Sequence, residues 1–202
     1  MSVSKNFFLS AEFEQKGRYV FNFYKAALGR LPRYNEFIPD ITGLIAVDDA
    51  GFFAKKAAFT NDFVQRQEFR NIYDPLSNQQ YVDALMGRYT LQQVTTANPS
   101  NPDDTTQPKV TLTRADLVSR LNLGTMTRSQ VLRAVAGSDQ VAAAEANSSF
   151  VAMQYFGYLR RDPEEGGYND WLRTINANPA DIRSMVNGFM NSEEYRLRFG
   201  TP

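Results

Sequence analysis

The spacing of apolar residues along the chain is mostly that of α-helices. It is clearest over 182–190, where one helical face is formed by Ile182, Met185, Val186, Phe189 and Met190. Strict alternation of apolar and polar residues, the pattern of a half-buried strand, is nearly absent. The pattern therefore predicts an all-α chain of roughly nine or ten helices.

Helix start and stop signals divide this pattern into elements. A serine or threonine three positions before a glutamine is a capping box, and two occur, Ser77 with Gln80 and Thr127 with Gln130. Thr113 is a third predicted N-cap, and the helix that follows it is expected to end at Gly124.

The last two helices are predicted to form a bent hairpin. Asn178 is the expected N-cap of the first, with a proline at the first helical position and Asp181 in the place of a capping-box acid. Ser192 would cap a short second helix. Its first turn holds Glu193 and Glu194, where the positive end of the helix dipole favours acids.

This corner recurs along the chain as an aromatic, two spacers, a serine, one spacer, a glutamate and a second aromatic. Close copies occupy 7–13, 63–69 and 189–195, and a weaker copy occupies 135–141. Their first positions are 56, 72 and 54 residues apart, which indicates tandem units of roughly 55–70 residues. The serines and glutamates of the three close copies are Ser10, Glu12, Glu68, Ser192 and Glu194.

A second motif precedes the corner in two of the units. Residues 19–32 align without a gap to 150–163, which matches Tyr24 with Tyr155, Leu28 with Leu159 and Arg30 with Arg161. Each arginine ends a long helix, where a cation suits the helix dipole. We expect each to pair with the corner glutamate of its own or a neighbouring unit, and the other interpretation is recognition of an anion or a partner.

These repeats predict four segments, which are the tail of an upstream unit at 1–17, a first helical unit at 18–76, a degenerate middle unit at 77–147 and a last unit at 148–202. The extra length of the middle unit lies in 95–111, a polar stretch with three prolines that is expected to be an exposed loop. Because the first corner lacks the start of its unit, we expect the chain to be part of a longer protein. Units of this size are expected to share core surface in one or two small helical domains.

The composition excludes several kinds of catalytic and metal site and several kinds of partner. The 202 residues include no histidine and no cysteine, which excludes Ser-His-Asp triads, cysteine nucleophiles, Cys/His zinc sites and disulfides. Lysine plus arginine equals aspartate plus glutamate at 22 each, so no net field draws the chain to nucleic acid or an anionic membrane. No apolar run approaches the roughly 20 residues that span a bilayer, and the first ten residues lack the pattern of a signal peptide.

Two groups of acids are candidate calcium ligands. Calcium takes about six to eight oxygen ligands, and the first group surrounds two glycines and consists of Asp162, Glu164, Glu165 and Asp170. Its spacing matches no EF-hand, so calcium is the weaker interpretation of these acids. Asp103 and Asp104, in the polar insert, are a still weaker group.

Two further patterns have a functional and a structural interpretation. Glu193 and Glu194 are a candidate pair for glycoside cleavage, but adjacent helical positions point to different sides, and solvated first-turn acids are expected. Exposed tyrosines would suit a carbohydrate, yet the spacing of Tyr19, Phe23 and Tyr24 is that of a core face.

The segments VFNFYKAALGRLP and FVAMQYFGYLRRDPEEGGYNDWL, together with the repeated corner, resemble the bacterial domain-of-unknown-function family 4214. Units of that family carry a leucine-glycine-arginine-x-proline segment, then a glycine and a tryptophan, then this corner. They are similar in pattern to the helical domain of phycobilisome linker proteins. In this chain Arg160 replaces the glycine in the last unit, and the tryptophan occurs only there, as Trp171, with Phe37 at or near its place in the first unit.

The resemblance implies a non-catalytic helical module attached to a large secreted or cell-surface bacterial protein. We therefore expect no enzyme activity and no cofactor, and a role in protein interaction or as a spacer. The expected partners are other domains of the parent protein or another surface protein, without nucleic-acid binding or membrane insertion. The alternative is a surface module that binds a glycan or calcium.

Overall fold

The computed structural model describes residues 11–99, 102, 106–178 and 182–200. Over these residues the chain forms twelve α-helices, two π-helical segments and two short strands. The prediction of a mainly α-helical fold is confirmed. The helices outnumber the predicted nine or ten because several are short, such as the six-residue helix that Ser138 caps.

The first half of the chain begins with a long helix that ends in a π-turn. The helices are α1 (Ala11–Phe23), which continues into the first π-helical segment (Tyr24–Leu28), α2 (Tyr34–Gly43), α3 (Asp49–Phe63), α4 (Gln67–Tyr73) and α5 (Asn78–Gly87). The capping box of Ser77 and Gln80 starts α5 as predicted, with the Ser77 hydroxyl accepting from the Gln80 N–H.

The second half repeats the long helix with a π-turn. The elements are β1 (Gln93–Thr96), β2 (Val110–Thr113), α6 (Arg114–Asn122), α7 (Arg128–Ala136), α8 (Asp139–Ala144), α9 (Ala146–Gln154), the second π-helical segment (Tyr155–Leu159), α10 (Glu165–Ala177), α11 (Ile182–Asn191) and α12 (Glu193–Phe199). Thr113, Thr127 and Ser192 cap helices as predicted, and Gly124 has φ +68° just beyond α6. Asn178 ends α10, whereas Asp181 lies outside the described residues.

The prediction of an exposed loop over the whole of 95–111 is wrong at its two ends. β1 and β2 pair antiparallel, from Gln93 with Thr113 to Thr96 with Val110, and so close the base of the insert. Val94 and Thr96 are buried on one face of β1. Two short apolar-polar alternations at the edge of a helical core are enough for a two-stranded ribbon that the helical pattern did not indicate.

One hydrophobic core runs through the described part of the chain, and α1 lies in its middle. This helix packs against α2, α7, α8 and α9, which come from all three predicted units. Val20, Phe21 and Phe23 on α1 are fully buried. The contact between the first and last units is aromatic, with the rings of Phe37 and Phe156 centred 4.6 Å apart. The units therefore share core surface rather than forming separate cores.

A buried polar group joins these units inside the apolar core. The Glu145 carboxylate, at the start of α9, lies 3.6 Å from the Lys25 ammonium and accepts a 2.8 Å hydrogen bond from the Tyr89 hydroxyl and another from Ser148. Burial, together with the adjacent Glu145 charge, raises the pKa of Tyr89 above its ordinary value. A buried carboxylate needs such partners, so Glu145 ties the first π-helical segment and the turn after α5 to the start of α9.

Both π-helical segments end at a residue in the left-handed region. Gly29 has φ +70°, whereas Arg160 has φ +51°, a conformation that costs a residue with a Cβ about 1 kcal/mol or more. A Cβ at position 29 would also meet Arg88 Nη1 at 2.1 Å, so the Arg88 guanidinium would have to move. Arg88 donates to the carbonyls of Ala26 and Ala27, which are left open at the end of the helix.

These two positions should respond to substitution with opposite signs. Gly29→Ala adds both strain and a clash, and we expect it to lower the free energy of unfolding by about 1–3 kcal/mol. Arg160→Gly should be about 1 kcal/mol more stable than Arg160→Ala, because both lose the arginine side chain and only alanine keeps the strained Cβ. Urea denaturation of the variants measures both differences. An Arg160→Ala variant at least as stable as Arg160→Gly would contradict this explanation.

Candidate functional site

The first arginine cluster consists of Tyr24, Arg30, Glu36 and Glu68. The Arg30 guanidinium donates to both carboxylates, with Nε 2.8 Å and Nη2 2.5 Å from the Glu68 oxygens, and Nη1 and Nη2 each 2.8 Å from Glu36. It also lies over the Tyr24 ring, 5.2 Å from the centroid. The expected pair between the arginine and the corner glutamate is present, and Glu36 of α2 is a second partner that the sequence did not indicate.

The second arginine cluster consists of Tyr155, Arg161, Glu164 and Glu194 and repeats this arrangement. Arg161 Nε and Nη2 lie 2.8 and 2.9 Å from the Glu194 carboxylate, and Nη1 donates to Glu164. The guanidinium lies 5.4 Å from the centre of the Tyr155 ring. In both clusters one arginine joins the end of a π-helical segment, the start of the next helix and the corner helix.

The first aromatic of each corner packs edge-on against the tyrosine of its own cluster. The Tyr24 and Phe63 rings are 5.2 Å apart at 88°, and the Tyr155 and Phe189 rings are 4.8 Å apart at 85°. Phe63 and Phe189 are both buried, so the repeated sequence positions have like surroundings in the two units.

Hydrogen bonds from the arginines set the charge state of the acids. Burial opposes the charged form of Glu36, but the bonds from Arg30 and from the Arg33 N–H outweigh it and lower its pKa. The Arg30 hydrogen bond also lowers the pKa of Glu68. For Glu164, burial again opposes ionisation, and the Arg161 hydrogen bond prevails and lowers the pKa. These acids are therefore ion-pair partners and have none of the raised pKa values of general acids.

Trp171 has no aromatic counterpart in the first unit, so the expectation that Phe37 takes its place is wrong. The Trp171 ring packs on Phe189 with centroids 5.9 Å apart. In the first unit, the corresponding ring is that of Phe63, and the Arg66 guanidinium lies over it, 4.8 Å from the centroid. Asp40 neutralises it through hydrogen bonds of 2.8 and 2.6 Å. A half-buried ion pair thus fills the space that an indole fills in the last unit.

The serine of the corner caps a helix in the middle and last units but is replaced in the first unit. The Ser192 hydroxyl accepts a 3.1 Å hydrogen bond from the Tyr195 N–H, and Ser138 caps α8 in the same way. Arg66 stands at this position in the first unit and makes no side-chain cap. Ser10 lies outside the described residues, and Glu12 is described only as part of the α1 backbone.

The acids considered for calcium mainly have partners in the protein. Asp162 accepts from the Tyr34 N–H, Glu164 pairs with Arg161, and Asp170 pairs with Arg173 at 3.1 Å. Glu165 lies exposed in the first turn of α10. Within the described residues, no three acidic side chains come together as a possible metal site, and Asp103 and Asp104 lie outside them.

The other patterns singled out in the sequence do not form a reactive site or a tyrosine platform. Glu193 is exposed, whereas Glu194 is engaged by Arg161, so the two differ in surroundings as adjacent helical positions should. Phe23 and Tyr24 are buried in the core as expected, and Tyr19 is half-buried. All ten tyrosines of the chain are buried or half-buried, so none offers an open ring face of the kind that stacks on sugars.

Sequence reasoning missed a cleft of about 580 Å³ between α1, α3, β1 and α7. Tyr19, Lys56 and Thr60 form one wall, and Ser129 and Arg133 of α7 face them. These residues come from distant segments, and Lys56 and Arg133 belong to no repeated motif. Only the packing of α3 against α7 brings them together.

The two corner helices differ in what covers them. Tyr73, the last residue of α4, is fully buried, and its ring lies 5.2 Å from that of Tyr81 on α5. Phe199 ends α12 at the same position of the corner and is 42% exposed, and the nearby Leu197 is 82% exposed. The last corner therefore presents apolar side chains where the first corner contacts a helix of the middle unit.

The depressed pKa of Glu36 leads to a pH-dependent contribution to stability. Such a carboxylate stabilises the fold above its unfolded pKa, near the ordinary value of 4.5, and loses this effect as the pH falls through the folded value. We expect Glu36→Gln to be less stable than the unmodified chain at pH 7, and the difference to shrink below about pH 4.5. Glu193→Gln, which removes an exposed acid, is the control and should change stability little. Urea midpoints between pH 3 and 7 test this, and a constant difference would contradict the assignment.

Comparison with known proteins gives one family match. The model of a family described as a domain of unknown function (DUF4214) matches residues 140–199, which include the second arginine cluster, Trp171 and the corner at Ser192. No curated protein and no solved structure matches the chain. Residues 140–199 therefore match the DUF4214 family, and the rest of the chain lies outside this match.

Proposed function

We propose that this chain is a non-enzymatic interaction or spacer module of a larger secreted or cell-surface bacterial protein. The observation that carries the proposal is the use of the repeated charged residues within the fold. The most reactive groups of the recurring motif are its arginines and glutamates. Arg30 and Arg161 each donate hydrogen bonds to two of these glutamates, so the charged groups of the motif are engaged with one another. A motif that is repeated to build helix corners needs no substrate to explain it.

The surface of α12 supports the interaction role. Leu197 and Phe199 are exposed on a seven-residue helix whose equivalent, α4, contacts the middle unit through the Tyr73 and Tyr81 rings. Burying an exposed leucine contributes about 1.5–3 kcal/mol, so a partner that covers Leu197 would gain most of this amount, and less from Phe199, which is already partly covered. We propose that the partner is another domain of the parent protein or another surface protein.

We further propose that residues 18–76 are a second, diverged copy of the family unit. The first and last units share a π-helical segment followed by a left-handed residue and an arginine between two glutamates. The corner ring packs on the helix tyrosine in both. Tandem copies with a shared core suit a spacer, because their relative orientation is fixed by packing rather than by a linker.

Membrane attachment by this chain itself receives no support from the helices. In the described residues no helix combines the length and apolar character required to cross a bilayer. The calcium alternative lacks a group of ligands in the same residues, and the tyrosine platform proposed for glycans lacks an open ring. Neither alternative is favoured by a specific observation on its own residues.

The interaction surface can be tested by site-specific photo-crosslinking in the cells that produce the protein. Leu197 is replaced by a photoreactive phenylalanine derivative, and Leu123, an exposed leucine at the end of α6, is replaced in a control. We expect irradiation to join position 197, but not 123, to a defined protein or to a defined domain of the same polypeptide. Mass spectrometry of the crosslinked bands identifies it. Equal crosslinking at the two positions, or none at 197, would count against an interaction surface on α12.

A further inference from the structure

We propose that the exposed face of α12 docks a partner helix that presents an aromatic ring and, seven positions later, a carboxylate. This inference rests on the interaction role proposed above for α12 and adds the chemistry of the partner. It follows from a comparison of the two corner helices, because α5 already covers the equivalent face of α4 within this fold.

The two corner helices carry the same pair of rings. On α4, the rings of Phe69 and Tyr73 are centred 4.5 Å apart at 35°, and on α12 those of Tyr195 and Phe199 are centred 5.0 Å apart at 42°. Phe69 and Tyr73 are buried, whereas Tyr195 is half-buried and Phe199 is 42% exposed. The pair is therefore built alike in the two units and differs in what lies on top of it.

A single ring from α5 covers the first pair. Tyr81 lies edge-on to both of its members, 6.4 Å from Phe69 at 72° and 5.2 Å from Tyr73 at 80°, and is itself fully buried. Among the described residues, no ring from outside the last unit contacts Tyr195 or Phe199. An aromatic side chain on a docked helix would complete the second pair in the same way.

The helix α5 makes a second contact two turns further along. Arg88 follows Tyr81 by seven positions, so the two side chains leave the same face of the helix. The Arg88 guanidinium lies against Gly29 and donates to the carbonyls of Ala26 and Ala27 at the end of the first π-helical segment. The first corner is thus recognised by an aromatic residue followed, seven positions later, by a cation.

The last unit changes the charge that this second contact requires. Arg160 takes the place of Gly29; it is exposed, its guanidinium lies 4.8 Å from the centre of the Phe199 ring, and no ion pair among the described residues includes it. The carbonyl of Leu159, at the end of the second π-helical segment, already accepts from Arg198 of α12. A cation on the partner would therefore meet Arg160 without an acceptor to bind, whereas a carboxylate there would pair with it.

The test measures binding of fluorescent peptides to the full chain by anisotropy. Each peptide has the α5 sequence of residues 77–89, held helical by a hydrocarbon staple, and the three versions are unchanged, Arg88→Glu, and Arg88→Glu with Tyr81→Ala. The chain's own α5 is joined to α4 by a short connection, so its high effective concentration keeps the peptides off the first corner.

We expect the Arg88→Glu peptide to bind saturably and about threefold or more tightly than the unchanged peptide, because attraction to Arg160 replaces repulsion. Adding Tyr81→Ala should weaken its binding about fivefold or more, because the ring that covers the aromatic pair is lost. The preference for the Arg88→Glu peptide should shrink as the salt concentration rises.

A charge reversal on the chain locates the contact. In an Arg160→Glu chain the preference should invert, so that the unchanged peptide binds more tightly than the Arg88→Glu peptide. This substitution keeps a Cβ in the left-handed region and so adds no further backbone strain. Arg173→Glu, which makes the same charge change at an exposed position of α10, is the matched control and should leave the preference unchanged.

Three results would overturn the inference. They are the absence of saturable binding of any peptide up to about 1 mM chain, equal affinities for the unchanged and Arg88→Glu peptides, and a preference that persists in a folded Arg160→Glu chain. Any of them together with crosslinking at Leu197 would remove the stated partner chemistry and leave the interaction role of α12 intact. Absence of crosslinking at Leu197 counts against that role whatever the peptides do.

Discussion

The angle between each long helix and its corner is fixed by one guanidinium. Arg30 and Arg161 follow a left-handed residue at the end of a π-turn, and each is held between a glutamate one helix later and a glutamate in the corner helix. The planar arginine can satisfy both carboxylates only when these three chain segments converge on it. Because the corner aromatic then packs on the tyrosine beneath the arginine, the polar contact and the ring contact depend on the same geometry.

The packing around this geometry can vary. The last unit fills the space beside Phe189 with Trp171, whereas the first unit fills it beside Phe63 with the Arg66 guanidinium and neutralises that charge with Asp40. Burial and the neighbouring Asp40 raise the pKa of Tyr24, so its hydroxyl remains a donor to this carboxylate at neutral pH. The two units therefore share the geometry of the corner, while the side chains that pack around it differ.

Much of the helical architecture could be predicted from the sequence because caps and repeated motifs are local signals. Ser77, Thr127 and Ser192 start helices where expected, and the pairing of Arg161 with Glu194 follows from the repeat. The β-ribbon was missed because four-residue strands carry little periodic signal, and the π-turns because one extra residue leaves the apolar pattern almost unchanged. The cleft could not be predicted, since it exists only where α3 packs on α7.

The most direct test of the central claim is a pair of double-mutant cycles, one on Arg30 with Glu68 and one on Arg161 with Glu194, each with alanine replacements and urea denaturation. These pairs are partly exposed, so we expect coupling energies of only about 0.5–1.5 kcal/mol, and of similar size in the two units. The exposed pair Arg173 and Asp170 serves as the reference, with coupling close to zero. Coupling in both clusters no larger than in this reference pair would contradict the view that the arginines hold the corners together.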